Sequence, residues 1–370
     1  MSKFFETIDH AQVEQALRDA IARAPDDVVR AGAVMHLAAH EAGWEDTGLV
    51  LARGEAVSLL SRGVVWMSRA LDLGVEGKLS LWYRVGDGPI AKAIDSTTSF
   101  VADRDGPLMV IARLAGQWID ETGRFDPAST LEGGALCVAA VVWKGTAAAG
   151  LPRFAAGDAT GLAASEAARI PAARPVPRGW GPLWRLGQTA IFCEAVEEGA
   201  PPHIACRCRQ DAGILKYPLD VPLAADVELA WDWRIRQLPS LEAEDSVPTH
   251  DYLSIAVEFD NGQDVTYFWS SSLPVGTTFR CPLPGWDKVE THIAVRSGHD
   301  GLGAWTSERR PVLADYRAAV GGPDPARIVG VWLIAVSAFQ RGEGVCDFAR
   351  IRLDHAGGEV KVAPWAPMQP

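Results

Sequence analysis

The chain has 370 residues, 35 Lys plus Arg against 47 Asp plus Glu, and a net charge of −12. That length suggests two domains, and 48% hydrophobic with 22% charged residues is an ordinary globular balance with enough apolar material for a sizeable core. An acidic chain with no basic run repels phosphate backbones, which argues against nucleic acid as a partner.

The opening segment MSKFFETIDHAQVEQALRDAIARAPDDVVR is charged throughout. It shows no apolar run typical of an export signal. No stretch approaches the ~18 apolar residues that span a membrane. The six cysteines are therefore expected to be reduced, in a cytoplasmic setting. Phe4, Phe5, Ile8, Val13, Leu17 and Ile21 recur at helical spacing and predict an amphipathic helix over 4–24. Asp26-Asp27 then caps a second predicted helix over 28–41. His36 and His40 fall at i and i+4 on it. The order differs from H-E-x-x-H, and polar positions on a partly exposed helix are the plainer reading. Residues 1–45 are thus expected to be a helical segment.

From Thr47 the pattern changes to short β-type runs separated by Gly and Asp. GLVLARGEAVSLLSRGVVWMSRAL, KLSLWYRVGDG, SFVADRDGPLMVIARLAGQWIDETG and GGALCVAAVVWKG predict a β-sandwich over 46–145. Asp103-Arg104-Asp105-Gly106 reads as a hairpin device in preference to a calcium loop. Residues 146–178, rich in Ala, Gly and Pro, read as a connector with a short helix near 165–169. A second sandwich is expected over 179–356, followed by a tail over 357–370. The fold class expected is mainly β, with two jelly-roll-like sandwiches behind a short helical start.

Alternation is cleanest in the second block. It places Leu229, Trp231, Trp233, Leu253, Ile255, Val257, Ile293, Val295, Ile351 and Leu353 on an apolar face. Asp232, Arg234, Glu258, Glu290, His292, Arg296, Arg350 and Arg352 fall on the opposite one. The polar flank is either solvated or lines a groove. Asp260-Asn261-Gly262 marks a hairpin. Cys206-Arg207-Cys208 reads as alternating positions on a strand, without a second pair at zinc-type spacing.

The runs WDWRI, DYLSIAVEF, VTYFWSS, VRSG, LGAWTSERRPVLADYRAAVGG and IVGVWLIA resemble a bacterial family known as domain of unknown function three-zero-four-seven. The resemblance covers about residues 180–355. It is carried most specifically by Trp305, Glu308, Arg309, Asp315 and Tyr316, and it implies a β-sandwich of unassigned chemistry. Where family members carry an Asp/Asn/Thr-rich turn, this chain reads Ser337-Ala338-Phe339-Gln340-Arg341, so a cation site there is not implied. Residues 46–145 are similar to galactose-binding lectin-type sandwiches through SFVADRDGPLMV, Trp118-Ile119-Asp120 and GGALCVAAVVWKG. That similarity implies a fold more than a sugar site.

Fourteen Trp exceed the usual need of two cores, so some are expected to line a ligand pocket. Tyr267, Trp269, Trp305 and Trp118 are the residues assigned to substrate. His292 carries Glu290 and Arg296 on its face, and a His beside a carboxylate works near neutral pH as acid or base. A sheet-face histidine satisfied by its neighbours is the plainer account. No phosphate-binding loop, dinucleotide fingerprint or nucleophile elbow occurs. The leading expectation is a lyase or isomerase moving protons without a cofactor or metal. His292 would be its acid or base, Asp251 or Glu258 the carboxylate partner, and Tyr252, Tyr267 or Arg296 a stabiliser of negative charge. The ligand would lie between the sandwiches or on the polar face of the second. The alternative is a non-catalytic carbohydrate-binding protein.

Overall fold

The computed structural model describes residues 8–39, 43–125 and 131–362. The chain is mainly β and divides into two units, Met1–Ala173 with Trp184–Gln188, and Arg174–Leu183 with Thr189–Pro370.

In the first unit the helix expected near the start runs His10–Ala22. Asp9 caps it by accepting the Gln12 amide at 3.1 Å. Val13, Leu17, Ala20 and Ile21 form its apolar stripe, facing the core. Phe4 and Phe5 lie outside the described residues. The second expected helix is a strand, Val29–Ala38. It pairs antiparallel with Gly134–Trp143, from Val29 opposite Trp143 to Ala38 opposite Ala135. The spacing of its apolar residues suits either period, and sheet pairing decides between them. Gly134–Trp143 is buried on both faces beyond its first residue, which is why it reads as an unbroken apolar run. It sits between Val29–Ala38 and Ala56–Ser68 in a five-stranded sheet. A second sheet joins Glu45–Leu51, Gly106–Ala112, Leu81–Val85 and Ala91–Lys92.

Residues 146–172 are not a connector. They form two helices, Ala147–Ala155 and Leu162–Ala172, packed with the first helix over one face of the five-stranded sheet. The small side chains that read as linker composition are good helix formers and allow close approach. A Cβ at Gly150 would stand 2.4 Å from the Trp143 ring. Asp103-Arg104-Asp105 connects Thr97–Val101 in one sheet to Gly106–Ala112 in the other, so it is a crossing between sheets and not a hairpin. Asp105 caps the Arg53 amide at 2.7 Å there.

The second unit is a sandwich. Its seven-stranded sheet runs Gly181–Pro182, Ala212–Pro222, Arg327–Val336, Tyr252–Phe259, Asp264–Ser270, Glu290–Ser297 and Thr278–Arg280. The six-stranded sheet runs Phe192–Ala195, His203–Arg209, Glu343–His355, Glu228–Gln237 and Thr306–Pro311, with Gly358–Lys361 beside Glu343–His355. All ten residues assigned to the apolar face belong to or pack on the single core between these sheets. The expected hairpin at Asp260–Gly262 joins Tyr252–Phe259 to Asp264–Ser270. Cys206 and Cys208 point into the core from a strand, as their spacing suggested.

Gly32 tests the first unit directly. Its missing Cβ would meet Ile21 Cγ2 at 2.9 Å, so Gly32→Val should lower unfolding stability by about 1–3 kcal/mol through overpacking. Urea titration reads this, and an unchanged midpoint would show that helix and strand do not press together there.

Candidate functional site

The polar flank expected from alternation proves to be two separate outer faces, one on each sheet of the second unit. They differ in access to water.

On the seven-stranded sheet the flank is sealed. Strand pairing sets His292 opposite Phe279 on one side and Thr266 on the other. Phe279 stacks on the imidazole at 4.9 Å with the rings within 5° of parallel. His250 and Tyr252 approach edge-on, each at 4.9 Å. His292 is 0% exposed and Glu290 2% exposed. Glu290 Oε1 lies 3.5 Å from His292 Nε2 and accepts the Tyr252 hydroxyl at 3.2 Å. Thr266 Oγ1 lies 3.0 Å from Asp264 Oδ1 and 3.3 Å from Glu290 Oε1.

Two carboxylates this deep do not ionise together. Burial works against both. Against Glu290 it is outweighed by His292, which holds that carboxyl down at about 2. Burial, with the neighbouring Glu290 charge, pushes Asp264 well above the usual range. Glu290 therefore carries the charge and Asp264 the proton. Burial and the adjacent His292 hold His250 down at about 3, a neutral imidazole at physiological pH.

The structure brings His292 and Tyr252 together, and places the other expected catalytic residues elsewhere. Asp251 is buried with its side chain turned to a loop, where it accepts the Phe339 and Gln340 amides at 3.0 and 2.6 Å. Burial raises its carboxyl to about 6, against these bonds. The loop it holds is the turn that departs from the family pattern. Glu258 shares the outer face but pairs with Lys216 Nζ at 2.5 Å and accepts the Trp332 indole at 3.0 Å. Arg296 pairs with Glu308 at the sandwich edge. Among the expected aromatic contacts, Tyr267 and Trp269 are core residues, and Tyr267 stacks on Trp231 at 5.6 Å. Trp118 is buried in the first unit, edge-on to Trp82 at 5.0 Å. Their aromatic surface goes into cores because wide sheets need large fillers. Only Trp305 stands on an outer face.

The six-stranded sheet is open, and its outer face holds a pocket of about 280 Å³ lined by Asp232, Ser307, Glu308, Arg309, Arg350 and Arg352 along with Ala230 and Trp231. Asp232 is its centre. It accepts the Ser307 hydroxyl at 2.7 Å and pairs with Arg350 at 3.0 Å. Arg350 reaches it because the pairing of Glu228–Gln237 with Glu343–His355 slips between Ala230 and Asp232. At that bulge Arg350 adopts φ 50°, a left-handed conformation that costs a non-glycine residue about 1 kcal/mol or more. Bulges re-aim side chains in this way. Arg309 is held by Glu228 and Asp354 at 2.6 and 2.7 Å, and Arg352 by Asp354 at 3.0 Å. Farther along the face Trp305 is half-buried, with the Arg234 guanidinium 4.8 Å from its ring centre and His203 edge-on at 5.6 Å. Asp347 anchors Arg234 and Arg236 at 2.8 and 2.9 Å.

Alternation had placed Asp232, Arg350 and Arg352 on the polar flank, but their convergence depends on a bulge that no spacing announces. His250 and Cys281 were missed altogether. They stand 31 residues apart and join His292 only through sheet pairing. His36, expected on a helix, sits on a strand and meets Glu14 at 3.0 Å; His40 lies outside the described residues. At the end of Thr306–Pro311, Arg310 grips Asp315 through two bonds of 2.8 and 2.7 Å.

Asp251→Ala should lower stability by about 2–4 kcal/mol, because two partly buried amides lose their acceptor. Chemical denaturation measures it, and a loss under ~0.5 kcal/mol would contradict the anchoring account.

No curated protein matches the chain. Among the described residues no helix is long and apolar enough to cross a membrane. Several solved structures are similar at low identity, three of them as follows. The EclA N-terminal domain, a PllA-like lectin, is 15% identical with TM-score 0.24, covering 32% of this chain and 99% of that one. The xyloglucanase domain of NopAA from Sinorhizobium fredii, in complex with cellobiose, is 8% identical with TM-score 0.28, covering 44% and 92%. A structure of carbohydrate-binding modules from the β-sandwich superfamily is 8% identical with TM-score 0.22, covering 89% and 99%. At such identities and scores these likenesses assign no function to this chain. Residues 193–352, most of the second unit, match the model of a family described as "Protein of unknown function (DUF3047)".

Proposed function

We propose that the second unit binds a neutral, hydroxyl-rich ligand of the carbohydrate class in the open pocket of its six-stranded sheet. The observation that carries this reading is the pocket built around Asp232. Its carboxylate, guanidinium and hydroxyl groups are already fixed by one another, so a ligand finds donors and acceptors with their ordering cost met. Sugar hydroxyls both donate and accept, which suits a mixed set of Asp, Ser and Arg. Paired charges of both signs favour a neutral ligand over an anion or cation. Trp305 stands farther along the same face, outside the pocket lining and with Arg234 over its ring.

The proton-transfer reading has less support. A general acid or base must come within hydrogen-bond reach of its substrate, and His292 is sealed beneath Phe279. Of the two expectations for the chain, the binding one fits the open face better.

Calorimetric titration with a panel of neutral oligosaccharides tests the proposal. Saturable binding by at least one class is expected, weakened tenfold or more by Asp232→Ala, which is about 1.4 kcal/mol. His292→Ala should leave the affinity unchanged. Binding that survives Asp232→Ala but fails in His292→Ala would overturn it, as would no binding across the panel.

A further inference from the structure

We propose that His250, Cys281 and His292 form a buried, structural site for a zinc-class divalent cation on the outer face of the seven-stranded sheet, with the Glu290 carboxylate beside it. One ligand atom from each of His250, Cys281 and His292 lies within 4.8 Å of the others, and all three residues are buried. They come from the turn before Tyr252–Phe259, the residue after Thr278–Arg280, and the middle of Glu290–Ser297.

The tautomer of His250 is set by its partner. Its Nδ1 lies 2.6 Å from the Glu244 carbonyl, and a carbonyl only accepts. Nδ1 therefore carries the proton, and Nε2 presents a lone pair toward Cys281 Sγ at 3.3 Å. A backbone carbonyl orienting the far nitrogen is the arrangement metal-bound imidazoles use. His292 supplies the independent sign. It is 0% exposed, its Nδ1 makes no hydrogen bond, and its Nε2 has only the Glu290 carboxylate at 3.5 Å. Buried polar atoms left without partners are uncommon and call for one. Water is a poor answer under a stacked phenyl ring, and a cation bound through a ring nitrogen is a good one.

The geometry suits the chemistry. Bonds of about 2.3 Å to sulfur and 2.0–2.1 Å to nitrogen or oxygen put neighbouring ligand atoms of a tetrahedron roughly 3.3–3.6 Å apart. Cys281 Sγ to His250 Nε2 is 3.3 Å, and the His292 ligand atom lies within 4.8 Å of both. Two imidazoles and a thiolate favour zinc or cobalt over calcium or magnesium. The thiolate and carboxylate cancel a dication, so the buried charge closes to zero once the thiol proton leaves to solvent. All three ligands are buried and Phe279 stacks over His292, so the site is shut off from substrate, as suits one that fastens structure. The cluster of His10, His36 and Cys137 in the first unit offers a weaker alternative. There His10 Nδ1 meets Cys137 Sγ at 3.2 Å, and His36 is partly exposed and already faces Glu14.

The test is titration of the full, reduced, chelator-stripped chain with Co²⁺ alone. A thiolate-to-cobalt charge-transfer band should saturate at one equivalent and be displaced by Zn²⁺, and Zn²⁺ should raise the thermal midpoint. Cys281→Ser should abolish the band, His292→Gln should weaken binding at least tenfold, and Cys137→Ser should change neither. The wild-type chain and Cys137→Ser decide the matter even where Cys281→Ser fails to fold. The proposal falls if the wild-type chain gives no band, if the band survives Cys281→Ser, or if Cys137→Ser removes it.

Discussion

Alternation of side chains along strands that share one core is the constraint on which the second unit rests. Each strand sends every other residue inward, and the two sheets close over a single apolar filling of Trp231, Trp233, Tyr267, Phe348 and their neighbours. The remaining residues must face outward, whatever their chemistry. Both outer faces therefore receive charged groups, and the unit handles them in opposite ways.

One face is covered. Phe279, His250 and Tyr252 close over His292 and Glu290, and burial keeps Asp264 and His250 neutral, which limits the cost of so many ionisable groups there. Burial pushes the Asp264 carboxyl up and the His250 imidazole down, while the neighbouring His292 holds the Glu290 carboxyl down. The other face stays open, but its central carboxylates, Asp232 and Asp347, are themselves buried beneath the arginines that pair with them. The exposed pairs among them, such as Arg309 with Glu228, add little to stability. Their consequence is geometric, since each fixes the position of the next. Arg350 is the clearest case: its left-handed backbone is tolerated where a bulge turns its guanidinium onto Asp232. Strain of this sort gathers at places that hold something.

How much of this was legible follows from what each feature depends on. The core face of the second unit was readable residue by residue because it depends only on the period of two, and Asp260-Asn261-Gly262 announced its own hairpin. The strand Val29–Ala38 was not readable, since its apolar spacing fits a helix and only pairing with Gly134–Trp143 settles it. The Ala-rich stretch 146–172 was misread for a related reason. Composition does not show that Gly150 allows a helix to approach Trp143, or that Glu166 will be buried against Thr97 and Arg169. At the sites, His292 stood out because it interrupts a strand. His250 and Cys281 did not, because neighbours joined by sheet pairing carry no local signal. The aromatic residues were the most misleading class. Tyr267, Trp269 and Trp118 were assigned to a ligand and went to cores, while the pocket that opened is built from short polar and long basic side chains.

The central claim is that the open face of the six-stranded sheet is where this protein meets its ligand. Hydrogen–deuterium exchange with and without a saturating neutral oligosaccharide tests it most directly. The account predicts slowed exchange in the segments carrying Asp232, Ser307 and Arg350, with the segments carrying His250 and His292 unaffected. Protection confined to the covered face, or none on either sheet with the sugar demonstrably bound, would contradict it.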